Sequence, residues 1–215
     1  MSGDAIAGFA VIALTISSLI FIFALLQYQK KTNKETQREI TDRDLLRLIA
    51  AQPDQLLSPH QMRDKTGMTH NQCRTRLSAL FSYGILNKSS NSRGRSFFGF
   101  RVPLVERQEL ELSPDPFLTV EDLLQIFEMY DYRVTPQDLI MATGLPLSVI
   151  KREMKHFEKE GILQRLSTMQ QQGMTMMRFF VLQEPYRSDP EQFRRRAGVL
   201  DLEMREILRN DNLIV

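Results

Sequence analysis

The amino-acid sequence predicts a mainly α chain with small β-hairpins, an α+β class: an N-terminal transmembrane helix, two tandem copies of one small domain, and a C-terminal helix. Three observations carry that expectation. Residues Ala5–Leu26, "AIAGFAVIALTISSLIFIFALL", contain no charge. Residues Asp42–Leu86 match Thr119–Leu163 without a gap at an offset of 77. Each match ends in Gly-Ile-Leu and runs into two apolar stretches around a polar tip, "ILNKSSNSRGRSFFGFRV" and "ILQRLSTMQQQGMTMMRFFVL". The implied segments are a transmembrane helix at 5–27, a basic juxtamembrane linker at 28–40, a first domain at 41–103, an acidic linker at 104–116, a second domain at 117–187 and an amphipathic helix in 188–215.

The uncharged run spans 22 residues, enough to cross the hydrocarbon core of a bilayer as a helix. A secretory signal peptide would need a basic start, and the only charge ahead of the run is Asp4. Lys30, Lys31, Lys34 and Arg38 follow directly. The positive-inside rule therefore predicts a single-pass protein of the cytoplasmic (inner) membrane, with its N-terminus outside and the bulk of the chain in the cytoplasm.

In the repeat, Leu46 meets Leu123, Ile49 meets Ile126, Pro59 meets Pro136, and Thr66-Gly67 meets Thr143-Gly144. The matches fall on caps, turns and apolar positions, which is the mark of a repeated fold. Each copy begins with a helix carrying an apolar stripe (Leu45, Leu46, Ile49; Leu123, Leu124, Ile126, Phe127). "SP" and "TP" open a second helix, because Ser or Thr caps and Pro suits the first turn. Gly67 and Gly144 end it, as a chain turning with positive φ requires. A third helix follows and exits at Gly84 or Gly161, and the hairpin closes the copy.

The order helix, helix, turn, helix, β-hairpin resembles the winged helix-turn-helix superfamily, in the manner of the MarR- and ArsR-type bacterial regulators, over residues 41–103 and 117–186. The resemblance rests on order and spacing, so it speaks to fold more than to function. It implies two tandem winged-helix domains and a DNA-binding transcriptional regulator whose third helix and basic wing meet double-stranded DNA. Winged-helix regulators also often dimerise through terminal helices.

The third helix of the first copy bears on that expectation. Thr69 and Gln72 have capping-box spacing, with Met68 and Cys73 placed as its hydrophobic staple. Cys73, Leu77, Leu80 and Phe81 recur at helical spacing as the buried face. His70, Asn71, Arg74, Thr75 and Ser78 then face outward, with Arg76 at the edge. Arg and Asn pair with base edges, and a helix N-terminus favours phosphate. The hairpin tip adds Lys88, Arg93 and Arg95, cations suited to the phosphate backbone. These nine residues are the candidate DNA contacts. A solvated polar face that binds protein is the alternative.

Charge separates the copies. Residues 41–103 hold ten Lys and Arg against four Asp and Glu, whereas residues 117–187 hold eight against nine. The second hairpin carries Gln and Met where the first carries bases, a composition suited to a protein contact or to core filling. A membrane-tethered tandem winged-helix adaptor that assembles proteins without DNA is therefore the alternative function. The basic block, close behind the apolar run, suits anionic lipid headgroups as well.

After Pro190, Phe193, Ala197, Leu200, Met204, Ile207 and Leu208 recur every three or four residues. This apolar stripe can dock on the second copy or pair with another chain as a homodimer. The single cysteine excludes an internal disulfide and fits a reducing compartment. Three histidines and one thiol make no familiar metal cluster, and no phosphate loop or activated nucleophile appears. The expectation is no metal, no cofactor and no enzyme activity.

Overall fold

Serine or threonine followed by proline starts the second helix of each copy, and both starts close in the same way. Ser58 Oγ accepts from the Gln61 N–H (3.2 Å) while Gln61 Oε1 accepts from the Ser58 N–H (2.8 Å). Thr135 and Asp138 repeat this reciprocal pair at 3.2 and 2.9 Å. Two of the otherwise orphaned donors at each helix start are thereby satisfied. Gly67 (φ 74°) and Gly144 (φ 71°) end these helices in the left-handed conformation that favours glycine.

The computed structural model describes residues 37, 39–105, 107, 110–169 and 176–214. The first copy contains α1 (Asp42–Ala50), β1 (Leu56–Leu57), α2 (Pro59–Thr66), α3 (His70–Ser82), β2 (Leu86–Ser90) and β3 (Ser96–Phe100). The second contains α4 (Val120–Met129), β4 (Arg133–Val134), α5 (Pro136–Thr143), α6 (Leu147–Lys159), β5 (Leu163–Met169) and β6 (Met176–Leu182). A final helix, α7, spans Pro190–Asn210. Each copy holds a three-stranded antiparallel sheet, ordered β1-β3-β2 and β4-β6-β5. The hairpins pair Leu86 with Phe100 and Leu163 with Leu182 at their bases. The third strand of each sheet goes beyond the expected hairpin, because two residues carry no alternation to read.

The expected fold class needs one correction. Residues 5–27, assigned above to a transmembrane helix, lie outside the described residues, as do 28–36. Among the described residues no helix is long and apolar enough to cross a membrane. The longest, α7, is charged along its length and buries only one face. The architecture is α+β, with seven helices and two small antiparallel sheets among the described residues and no membrane-spanning element in it. The single-pass placement inferred from the apolar run is corrected with it.

One continuous core runs through both copies, from Leu45, Leu46 and Ile49 through Leu77 and Leu80 to Ile126, Phe157 and Phe180. Cys73 is fully buried in it, and burial pushes its thiol pKa up, so it stays an unreactive packing group. The copies meet through Asp42 at the start of α1. Its Oδ2 accepts the Leu147 N–H at the start of α6 (2.8 Å). Gln137 Nε2 donates to the Val102 carbonyl at 3.3 Å nearby. The acidic linker is tied to the start of α4: Ser113 donates through its N–H (2.8 Å) and Oγ (2.7 Å) to Asp122. Burial disfavours the ionised Asp122, but the bonds from Ser113 and Thr119 outweigh it and hold its pKa below the ordinary value.

Helix α7 docks on the second copy, chiefly on α4 and α6. Phe193, Leu200, Met204 and Leu208 are buried there, and Phe193 meets Phe157 edge-on at 6.2 Å. The stripe that could have paired with another chain is thus used inside the chain.

Backbone packing at β3 yields the first prediction. A Cβ on Gly99 would sit 2.7 Å from Leu56 Cδ2 and 3.0 Å from the Gln55 carbonyl oxygen. Gly99→Ala must therefore displace the Leu56 side chain and crowd the Gln55 carbonyl at the start of β1. We expect a loss of about 1–3 kcal/mol in urea unfolding, the usual cost of overpacking. An unchanged unfolding midpoint would mean that Leu56 and the start of β1 yield without cost.

Candidate functional site

The two helix starts of the first copy bring α2 and α3 together beside the hairpin. A groove of about 500 Å³ opens between them, floored by Phe97 and Phe98 and walled by Ser58, His60, Gln61 and Asp64 of the α2 side. His70, Arg74 and Ser78 enter from α3, and Lys88 and Arg95 from the hairpin. Five of the nine sequence-predicted residues therefore line one concave surface. The Thr69–Gln72 capping box that aims the α3 N-terminus is formed, with Thr69 N–H donating to Gln72 Oε1 at 2.8 Å.

Asn71 and Arg93 are exposed and Thr75 is half-buried, all outside the groove lining. Arg93 sits at the hairpin turn, where Asn91 Oδ1 accepts the N–H groups of Arg93 (3.1 Å) and Arg95 (2.9 Å) and so shapes the tip. Arg76 is the exception. It is 3% exposed, and its guanidinium lies 2.5 Å from Asp42 Oδ1 and donates to the Ile40 carbonyl at 2.8 Å. Arg76 holds α3 against the start of α1 and cannot reach a ligand. Its assignment as a contact residue is corrected.

The remaining cations are free to act outward. Arg74, Lys88, Arg93 and Arg95 are exposed, and none has an ion-pair partner among the described residues. The groove's one carboxylate, Asp64, is held by Arg63 at 2.7 Å. His60 lies against His70, with ring centroids 4.3 Å apart and ring planes tilted by 37°. Nothing in the local sequence marks that pair, because it depends on the angle between α2 and α3.

The second copy presents the reverse. Its α6 N-terminus is covered, since Leu147 is buried against Asp42 of the first copy. Six of its eight cations are engaged within the chain, whereas Lys155 and Lys159 are exposed on α6. Arg152 pairs with Asp211 at 2.6 Å and Arg165 with Glu158 at 3.5 Å. Lys151 and Arg178 lie over the Tyr83 ring of the first copy, 4.9 and 4.8 Å from its centroid. Desolvation, then the nearby Arg178 charge, lowers the Lys151 pKa. Among the described residues no cluster of three or more His, Cys, Asp or Glu could hold a metal ion. No protein-family model matches the chain, and no curated protein matches its sequence.

Proposed function

We propose that the first copy is a winged-helix module that binds double-stranded DNA, and that the chain acts as a transcriptional regulator. In this reading α3 enters the major groove by its N-terminal half, and the β2–β3 hairpin lies along the phosphate backbone. The observation that carries it is the groove's cation set. Arg74, Lys88 and Arg95 converge there from two elements without an internal counter-charge. Unpaired, convergent cations beside a helix N-terminus favour a polyanion, because binding releases condensed counterions and no internal ion pair must first break. Arg74 and Asn71 supply forked groups for base edges, while Lys88, Arg93 and Arg95 supply backbone contacts. The second copy, with its α6 start covered and most of its cations engaged, positions the first and leaves the DNA contact to it.

Fluorescence anisotropy with a labelled duplex tests this. The full chain should bind with affinity falling steeply as salt rises. Arg74→Ala with Arg95→Ala should weaken binding at least about tenfold and flatten the log–log salt slope by roughly 2. An unchanged affinity and slope in that double variant would reject the reading. Lys151→Ala with Arg152→Ala, in the second copy, should leave the slope as it was.

A further inference from the structure

Helix α7 has a second face, unrelated to the stripe that docks it. Gln192, Arg195, Val199, Leu202, Glu206 and Arg209 are all exposed. They recur at alternating steps of three and four residues, so they form one straight seam. Val199 and Leu202 are 63% and 66% exposed at its centre, two of the few large apolar side chains open to solvent among the described residues. Beside them Gly198 has open space where a Cβ would be, which permits close approach of another backbone.

The charges on α7 divide by face. Arg194 is bound to Glu121 (2.9 Å) and Glu191 (2.7 Å), Arg196 to Glu160 (3.2 Å), and Arg205 to Asp115 (3.4 Å). Arg195, Glu206 and Arg209, on the seam, have no ion-pair partner among the described residues. The helix satisfies its charges toward the body and leaves those of the seam unmet.

We propose that this seam is a self-association surface that takes the same seam of a second copy of this chain, in antiparallel orientation. Turned about a two-fold axis between Val199 and Leu202, the pattern complements itself. Val199 meets Leu202 of the partner subunit twice at the centre. Arg195 meets Glu206 of the partner subunit on either side, and Gln192 meets Arg209 of the partner subunit at the ends. A parallel pair would instead set Arg195 against the partner's Arg195 and Glu206 against the partner's Glu206, which opposes association. Closed two-fold pairing of one patch with itself is the commonest route to a dimer. The DNA reading does not depend on it.

Sedimentation analysis of the full chain tests the proposal, and circular dichroism verifies that each variant is folded. The unmodified chain should sediment as a dimer. Leu202→Arg, at an exposed position, should give monomer. Arg195→Glu should weaken the dimer at least tenfold, and adding Glu206→Arg should restore it, since the exchange recreates both ion pairs with their signs reversed. A monomeric unmodified chain, association unaffected by Leu202→Arg, or a double exchange that fails to recover would each overturn it.

Discussion

Arg76→Ala is expected to destabilise the protein by about 3–5 kcal/mol, a large part of the 5–15 kcal/mol that holds an ordinary domain together. Arg76 and Asp42 are 3% and 7% exposed at their side chains and 2.5 Å apart. Removing the guanidinium strands a buried carboxylate that keeps, among the described residues, the Leu147 N–H (2.8 Å) and Gln37 Nε2 (3.3 Å) as donors. It also leaves the Ile40 carbonyl without its side-chain donor. Asp42→Ala should be similarly costly, because it strands Arg76 and the Leu147 N–H together. The double variant Arg76→Met with Asp42→Ala should recover part of the loss, since an apolar pair has no charge to desolvate. Urea unfolding of the three variants measures this. The same series separates a structural arginine from a DNA-reading one. Were Arg76 a base contact, its removal would lower DNA affinity and leave the unfolding midpoint where it was.

Arg76 also shows where sequence reasoning stops. Its neighbours Cys73, Leu77 and Leu80 are legible as core because they repeat with the helical period, and all three are fully buried. Arg76 lies at the border of that stripe, where a cation ordinarily lies solvated. Its partner is 34 residues away, so only the packing of α1 on α3 reveals the pair. Arg74, Lys88 and Arg95 were legible because helix phase and hairpin order place them without tertiary knowledge. β1 and β4 were not, because a two-residue strand is defined by the strand it pairs with. The near-neutral second copy was visible as a charge count. That Lys151 and Arg178 spend their charge on Tyr83 was not, because it depends on how the copies meet.

The repeat offers a sharper comparison at this same position, and with it the second large effect. Offset by 77, Arg76 corresponds to Glu153, which is 0% exposed. Both join the third helix to the start of the first, with opposite polarity: Arg76 donates to the Ile40 carbonyl, whereas Glu153 Oε1 accepts the Leu118 N–H at 2.8 Å. Arg76 has a counter-charge, while Glu153 Oε2 has no hydrogen-bond partner among the described residues. Burial without a cation raises the Glu153 pKa from 4.5 to about 8, against the Leu118 bond, which lowers it.

The folded chain therefore keeps a proton on Glu153 that the unfolded chain releases above about pH 4.5. Stability contributed by that proton is fully present below pH 4.5 and is lost as the pH rises toward about 8. The slope approaches about 1.4 kcal/mol per pH unit, for a total on the order of 3–5 kcal/mol. Asp122 works in the opposite sense, but its lowered pKa confines it to more acid conditions. His156, lowered by burial, also opposes Glu153, below its ordinary value of 6.5. The difference between the unmodified chain and Glu153→Gln cancels both and isolates the one group. Urea unfolding should give similar midpoints for the two near pH 5. By pH 8.5 the Gln variant should be the more stable by several kcal/mol, because an amide keeps the Leu118 bond and has no proton to lose. Parallel stability profiles from pH 5 to 8.5 would show instead that Glu153 finds a way to ionise in place.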